Sequence, residues 1–150
     1  MLPIESPAEN NVVLTEAIPA ALATEGTSAV AERMDILRWL IGVMMIGQAC
    51  EMRASALEIY QSVVNLTEDV DSLNMCLAFS TALNGDGTYA RELSLQGFDD
   101  CPNADHLNLA MAHTLKMIGD SGWQSFADKV LAGSTNVQLR SSAQVMLKMH

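Results

Sequence analysis

Aromatic residues are scarce in this chain: two Trp, two Tyr and three Phe among 150 residues. Sheets draw on aromatic and β-branched side chains, so a strand-built core is disfavoured. Basic residues are also few, eight Lys and Arg against 18 Asp and Glu, which leaves a net charge of −10. A surface of that sign repels phosphate backbones and anionic headgroups, so nucleic acid and membrane surfaces are poor partners. Only three Cys occur, at 50, 76 and 101, with no CxxC spacing. An odd, scattered set argues against a disulfide framework or a zinc site and fits a reducing compartment. Cys50 and Cys76 fall in helical patterns, where a thiol is expected as a small buried apolar group. The longest apolar run, Trp39 to Gly47, is nine residues, well short of the ~20 that span a bilayer. No Lys or Arg precedes Arg33, and Val12-Val13-Leu14 is too short for a secretory core. The expectation is therefore a cytoplasmic chain without a cleavable leader, the alternative being export by a route that needs none.

What is present favours helices. Hydrophobic residues make up 49% and include 10 Met, and Met, Leu and Ala are good helix formers. Residues 1–27 carry Pro3, Pro7, Pro19 and four acids, and hold neither a helical nor a strand period. They read as a disordered acidic tail, with at most a short helix near 14–23. From residue 28 onward Val30, Met34, Leu37, Ile41 and Met44 recur at spacings of three and four, one face of a helix. Further helices are expected near 53–66, 72–83, 88–97, 104–118, 122–132 and 137–148. Between them stand breakers such as Asn84-Gly85-Asp86-Gly87, Gly119-Asp120-Ser121-Gly122 and Gly133-Ser134-Thr135-Asn136.

The chain repeats itself at a spacing of 34 residues. Leu73-Asn74 returns as Leu107-Asn108, Leu77-Ala78 as Met111-Ala112, Gly85-Asp86 as Gly119-Asp120, and Tyr89 as Trp123. That period, with a turn halfway, is the length of a tetratricopeptide unit. One helix pair cannot bury its own apolar face, so pairs stack and a last helix closes the end. The expected fold is all-α: about three tetratricopeptide-like helix-turn-helix pairs over residues 28–150 with a C-terminal capping helix. Ala78 and Ala112 take the small position where paired helices cross, with Met44 a looser equivalent. The first pair has Glu51 where the others have turn glycines. The turns are longer than usual, so the second helices should slip in register.

No pattern carries catalytic chemistry. If Asp86 were the fifth position of a calcium loop, Ala82 and Leu93 would fall where oxygen ligands are required. His106 and His113 lie two turns apart without a third ligand. Glu68, Asp69 and Asp71 read as a solvated loop between pairs. There is no Gly-x-Ser-x-Gly elbow and no phosphate loop. The expectation is a non-enzyme without metal or cofactor.

In such a stack the first helix of each pair lines the concave face. The repeat register sets Arg38, Ile41, Met45 and Gln48 there, then Ser72, Met75, Phe79 and Ala82, then His106, Leu109, His113 and Lys116. Ile41, Met45, Met75, Phe79 and Leu109 form an apolar stripe, with His113 at its edge, suited to an amphipathic partner helix. Leu77 falls at a core position of the same helix as Phe79. Cover of the stripe by the tail or by a second copy is the alternative.

Gly119-Asp120-Ser121-Gly122-Trp123, followed by Phe126-Ala127-Asp128-Lys129-Val130-Leu131, resembles the closing segment of small tetratricopeptide-like type III secretion proteins. These are encoded with the hypersensitive-response (Hrp) systems of plant-associated bacteria. Leu37-Arg38-Trp39-Leu40-Ile41-Gly42 and the chain length also fit, and the similarity covers residues 33–147. The resemblance implies a type III secretion accessory protein, akin to chaperones that hold the apolar helix of a small needle subunit. It also leaves open a self-associating component of the apparatus, periplasmic in some members. It brings no catalytic residues.

If the glycine turns and histidines hold no ion, the melting temperature in excess chelator will equal that in excess calcium or zinc. A shift of several degrees with either ion would reverse this reading.

Overall fold

The computed structural model describes residues 20–149, with side chains from residue 29. The tail expected at 1–27 lies outside the described residues for its first nineteen positions. Its remainder is already helical, because α1 spans Ala20–Ala49. Among the described residues six more helices follow: α2 (Arg53–Val64), α3 (Val70–Leu83), α4 (Thr88–Gln96), α5 (Ala104–Met117), α6 (Trp123–Gly133) and α7 (Val137–Lys148). The architecture is all-helical, a repeat of helix pairs closed by a C-terminal helix. Residues 1–34 and 35–150 form two units, and the stacked pairs are built within the second.

The same backbone device ends the first helix of every pair. Glu51 N–H donates to the Gln48 carbonyl at 3.2 Å and Met52 N–H to the Gly47 carbonyl at 2.8 Å. Thirty-four residues on, Gly85 N–H donates to Ala82 at 2.9 Å and Asp86 N–H to Thr81 at 3.0 Å. Another thirty-four on, Gly119 N–H donates to Lys116 at 3.1 Å and Asp120 N–H to Leu115 at 2.9 Å. Each is a Schellman closure, which needs its pivot residue in the left-handed region. Gly85 and Gly119 sit at φ 82° and 72°, and Glu51 at 62°. Glu51 therefore takes the glycine conformation without being glycine.

Aspartates then restart the chain. Asp86 Oδ1 accepts from Thr88 N–H at 3.1 Å and Asp120 Oδ1 from Gly122 N–H at 2.9 Å, the local bonding that makes Asp a turn residue. The backbone and side-chain bonds from Thr88 hold the Asp86 carboxyl below its usual range. Asp69 is the N-cap of α3, accepting from Ser72 N–H at 3.0 Å, and Asn136 caps α7.

Small residues let the helices of a pair close on each other. A Cβ added to Gly47 would stand 3.4 Å from that of Ala56, where α1 meets α2. Met44, Ala78 and Ala112 occupy equivalent positions and are fully buried. Ala56 and Ala90 are matching fully buried positions of α2 and α4, but in α6 the fully buried alanine is Ala127. The register of the third pair has thus moved by three residues. The connections also lengthen, from 50–52 to 84–87 to 118–122, but the first lengthening leaves Ala56 and Ala90 in register.

Two clusters of buried side chains share α3. Leu37, Met44, Ala56, Val63 and Leu73 join α1, α2 and α3. Met75, Leu93, Phe98, Met111, Leu115, Trp123, Phe126, Val130 and Met146 run from α3 to α7. Polar ties between neighbouring units reinforce them. Arg91 meets Asp120 at 3.1 Å, and Lys129 meets Asp99 at 2.9 Å. Lys116 Nζ donates to the Met146 carbonyl at 2.9 Å while lying 4.4 Å from the Trp123 ring centre. The repeat register sets Lys116 on the open wall of the stack; the structure commits it to holding the capping helix.

One repeated polar position is left unmatched. Asn74 Oδ1 accepts from the Tyr60 hydroxyl. Its equivalent, Asn108, is buried and its Oδ1 has no partner, because Ser94 stands where Tyr60 would be and spends its hydroxyl on the Arg91 carbonyl.

The turn geometry sets a stability test. Glu51→Gly removes a left-handed penalty of about 1 kcal/mol and should raise the urea midpoint. Gly119→Ala should lower it by a similar amount. Equal midpoints for all three proteins would contradict the shared turn.

Candidate functional site

The first helices of the three pairs bring their middle turns together. Met45 of α1, Met75, Cys76 and Phe79 of α3, and Ala110 and His113 of α5 line an open concavity of about 510 Å³. Met45, Phe79 and His113 are separated by 34 residues each, so one repeat position supplies three walls. The lining is almost wholly apolar. Burial is the first cause, and the Asp69 charge the second, that push the Cys76 thiol above its ordinary value. The thiol therefore stays neutral and adds no charge. Flexible thioethers and one aromatic edge make a surface that can adapt to a partner's side chains.

Four of the six residues expected to bind a partner line this concavity: Met45, Met75, Phe79 and His113. Ile41 and Leu109 are half-buried and pack into the two clusters instead. Met75 is also more core than wall, with 4% of its surface exposed. Gln48 and Ala82, placed on the same wall by the repeat register, are buried. The register assumes straight, equivalent helices, and the stack turns these positions inward. Leu77, assigned to the core, is half-buried and packs against the first cluster, and Leu73 of the same helix is more deeply buried, at 1% exposure. Cys76 and Ala110 were not foreseen. They are themselves one repeat apart, a signal the 34-residue alignment contained.

Cys50 is exposed rather than buried, since it follows the last turn of α1. His106 and His113 are both exposed on α5.

A second, polar concavity lies where the connections between pairs meet. It is lined by Glu68, Asp69, Asp71, Cys101, Pro102, Asn103 and Leu107. Asp69 also accepts from Asn103 Nδ2 at 3.1 Å, and Cys101 Sγ donates to Asp71 Oδ2 at 3.2 Å. Glu68, Asp69 and Asp71 are all exposed, as expected of a solvated loop, and Asp69 and Asp71 also tie α3 to the next connection. Desolvation, then the hydrogen bond to Asp71, pushes the Cys101 thiol up to about 11.

Among the described residues no helix is long and apolar enough to cross a membrane. Compared with known protein families, characterised proteins and solved structures, the chain matches none.

The raised Cys101 value gives a chemical test. The thiolate is the reacting form, so native Cys101 should alkylate at pH 8 between about tenfold and about a hundredfold slower than in the urea-unfolded chain. The stability that the neutral thiol contributes is complete below the unfolded value of 9.0 and is lost as pH rises toward about 11. Mass spectrometry of tryptic peptides after timed iodoacetamide treatment reads the rates. Equal native and unfolded rates would refute the Cys101–Asp71 contact.

Proposed function

We propose that this is a non-catalytic binding protein whose concave apolar groove holds an amphipathic helix of a small partner. The carrying observation is the concavity itself, formed by three successive first helices through Met45, Phe79 and His113. A helix laid across it would bury its apolar face against Met and Phe side chains, the helix-in-groove mode. The resemblance to Hrp-type secretion proteins suggests the partner: a small helical type III secretion subunit, of the needle or pilus kind, kept soluble before assembly. A net charge of −10 suits a carrier of an aggregation-prone chain. This reading places the chain in the cytoplasm, or in the periplasm if it reaches there without a cleavable leader.

The second reading is a self-associating component of the secretion apparatus. It is favoured by one observation outside the groove, the apolar outer face of α1.

Phe79 tests the groove. It is half-buried and packs beside the core, so Phe79→Glu should cost some stability and leave a folded, helical protein by circular dichroism. Capture of a co-expressed small helical secretion subunit should fall about thirtyfold or more, the loss typical of a desolvated aromatic anchor. Leu73→Glu is the control for unfolding, since it buries an unpaired carboxylate. Undiminished capture by folded Phe79→Glu would exclude the groove as the binding site.

A further inference from the structure

Helix α1 is apolar on two sides. Leu37 and Met44 turn into the cluster with α2 and α3, and Leu40, Ile41 and Met45 pack beside it. The opposite side carries Ile36, Trp39, Val43 and Ile46, 58%, 78%, 39% and 64% exposed, with Cys50 next in line and also exposed. Their spacing is three, four, three, four. That is the seam of a coiled coil, narrower and more regular than a core-facing face needs. A helix with apolar side chains all round is normally covered on both sides.

We infer that this outer seam is a dimer interface, packing α1 against α1 of a second copy in antiparallel orientation. Self-complementarity is the reason. A two-fold interface must match itself, with large groups meeting small ones. Trp39 is the protruding group, and the hollow beside it is lined by Gly42, Val43 and Ile46. Nothing stands within 4 Å of where a Cβ of Gly42 would be. A two-fold axis between Trp39 and Val43 sets each Trp39 beside Gly42 and Val43 of the second copy, and Ile36 against its Ile46. A parallel pairing would instead put Trp39 on Trp39 and leave both hollows empty.

Size and charge agree. The four apolar side chains leave on the order of 500 Å² per copy to bury, so two copies reach about 1,000 Å², the lower bound for a specific interface. Positions 36, 39, 43 and 46 are apolar, Glu32 lies one step beyond Ile36 at the end of the seam, and Asp35 and Arg38 beside it pair with each other at 3.1 Å. The interface lies outside the groove, so a dimer leaves both grooves open and its test is independent of theirs.

Sedimentation equilibrium of the full chain should show a dimer at micromolar concentrations. Trp39→Ser should weaken it about thirtyfold or more with an unchanged helical signal. For orientation, Ile36→Cys and Ile46→Cys are introduced together with the three native cysteines changed to Ser. Within one chain these positions are about 15 Å apart along the helix, too far for a disulfide. The antiparallel dimer brings each beside the other of its mate, so oxidation should give a covalent dimer. In the wild type the two Cys50 residues would lie about 27 Å apart and should not cross-link. Three results would overturn the inference: a wild-type monomer at 100 µM (about the highest practical concentration), a Cys50–Cys50 dimer on oxidation, or a monomer whose Trp39 emits as a buried indole. The second would make the pairing parallel. The third would give the seam to another part of the same chain.

Discussion

A helix pair of this size cannot hide its own apolar face, and the whole molecule depends on how successive pairs are made to hide it together. The decisive constraint is the left-handed residue that ends the first helix of each pair. At positions 51, 85 and 119 the backbone reverses with the same two hydrogen bonds. Because the reversal is the same, each second helix returns along its first, and the buried positions of the first helices recur at 34 residues. Met44, Ala78 and Ala112 are the products of that repetition, all without exposed surface.

Repetition also makes the groove. A position that faces the concave side in one pair faces it in the next, so Met45, Phe79 and His113 converge although no short motif links them. The groove is apolar at its centre, Phe79, and opens at His113, which is exposed. Repetition is incomplete. The buried alanine of α6 lies three residues on from its equivalent in α4, and the swap of Tyr60 for Ser94 leaves the Asn108 oxygen unpaired. Two ion pairs, Arg91 to Asp120 and Lys129 to Asp99, join the second and third pairs across these local differences.

The two ends of the stack are treated differently. At the C-terminal end α7 covers the last pair, capped by Asn136 and held through its Met146 carbonyl by Lys116. At the other end α1 has a second apolar face with no helix of the same unit laid over it. A capping helix with a polar outer side would end the array; α1 instead offers Trp39 and Ile46 to solvent. That asymmetry is why we assign association to α1 and binding to the groove.

The helix count and the places where helices stop were written in the sequence, because Gly, Asp and Asn act on the backbone within a few residues. So was the 34-residue period, since repeated packing needs repeated side chains. The candidate site was only partly legible. The register marks which positions share a face, and four of the residues it names, Met45, Met75, Phe79 and His113, line the concavity. Ile41 and Leu109 share the repeat position of Met75 yet pack into the clusters, Gln48 and Ala82 are buried, and Lys116 bonds the Met146 carbonyl. At these positions the angle between neighbouring helices decides whether a side chain enters the core, the groove or a tie to the next helix. No local pattern encodes that angle. It depends on turn lengths and on the volumes of side chains far apart in the chain, such as Gly47 against Ala56, and so only the packed tertiary structure could fix it.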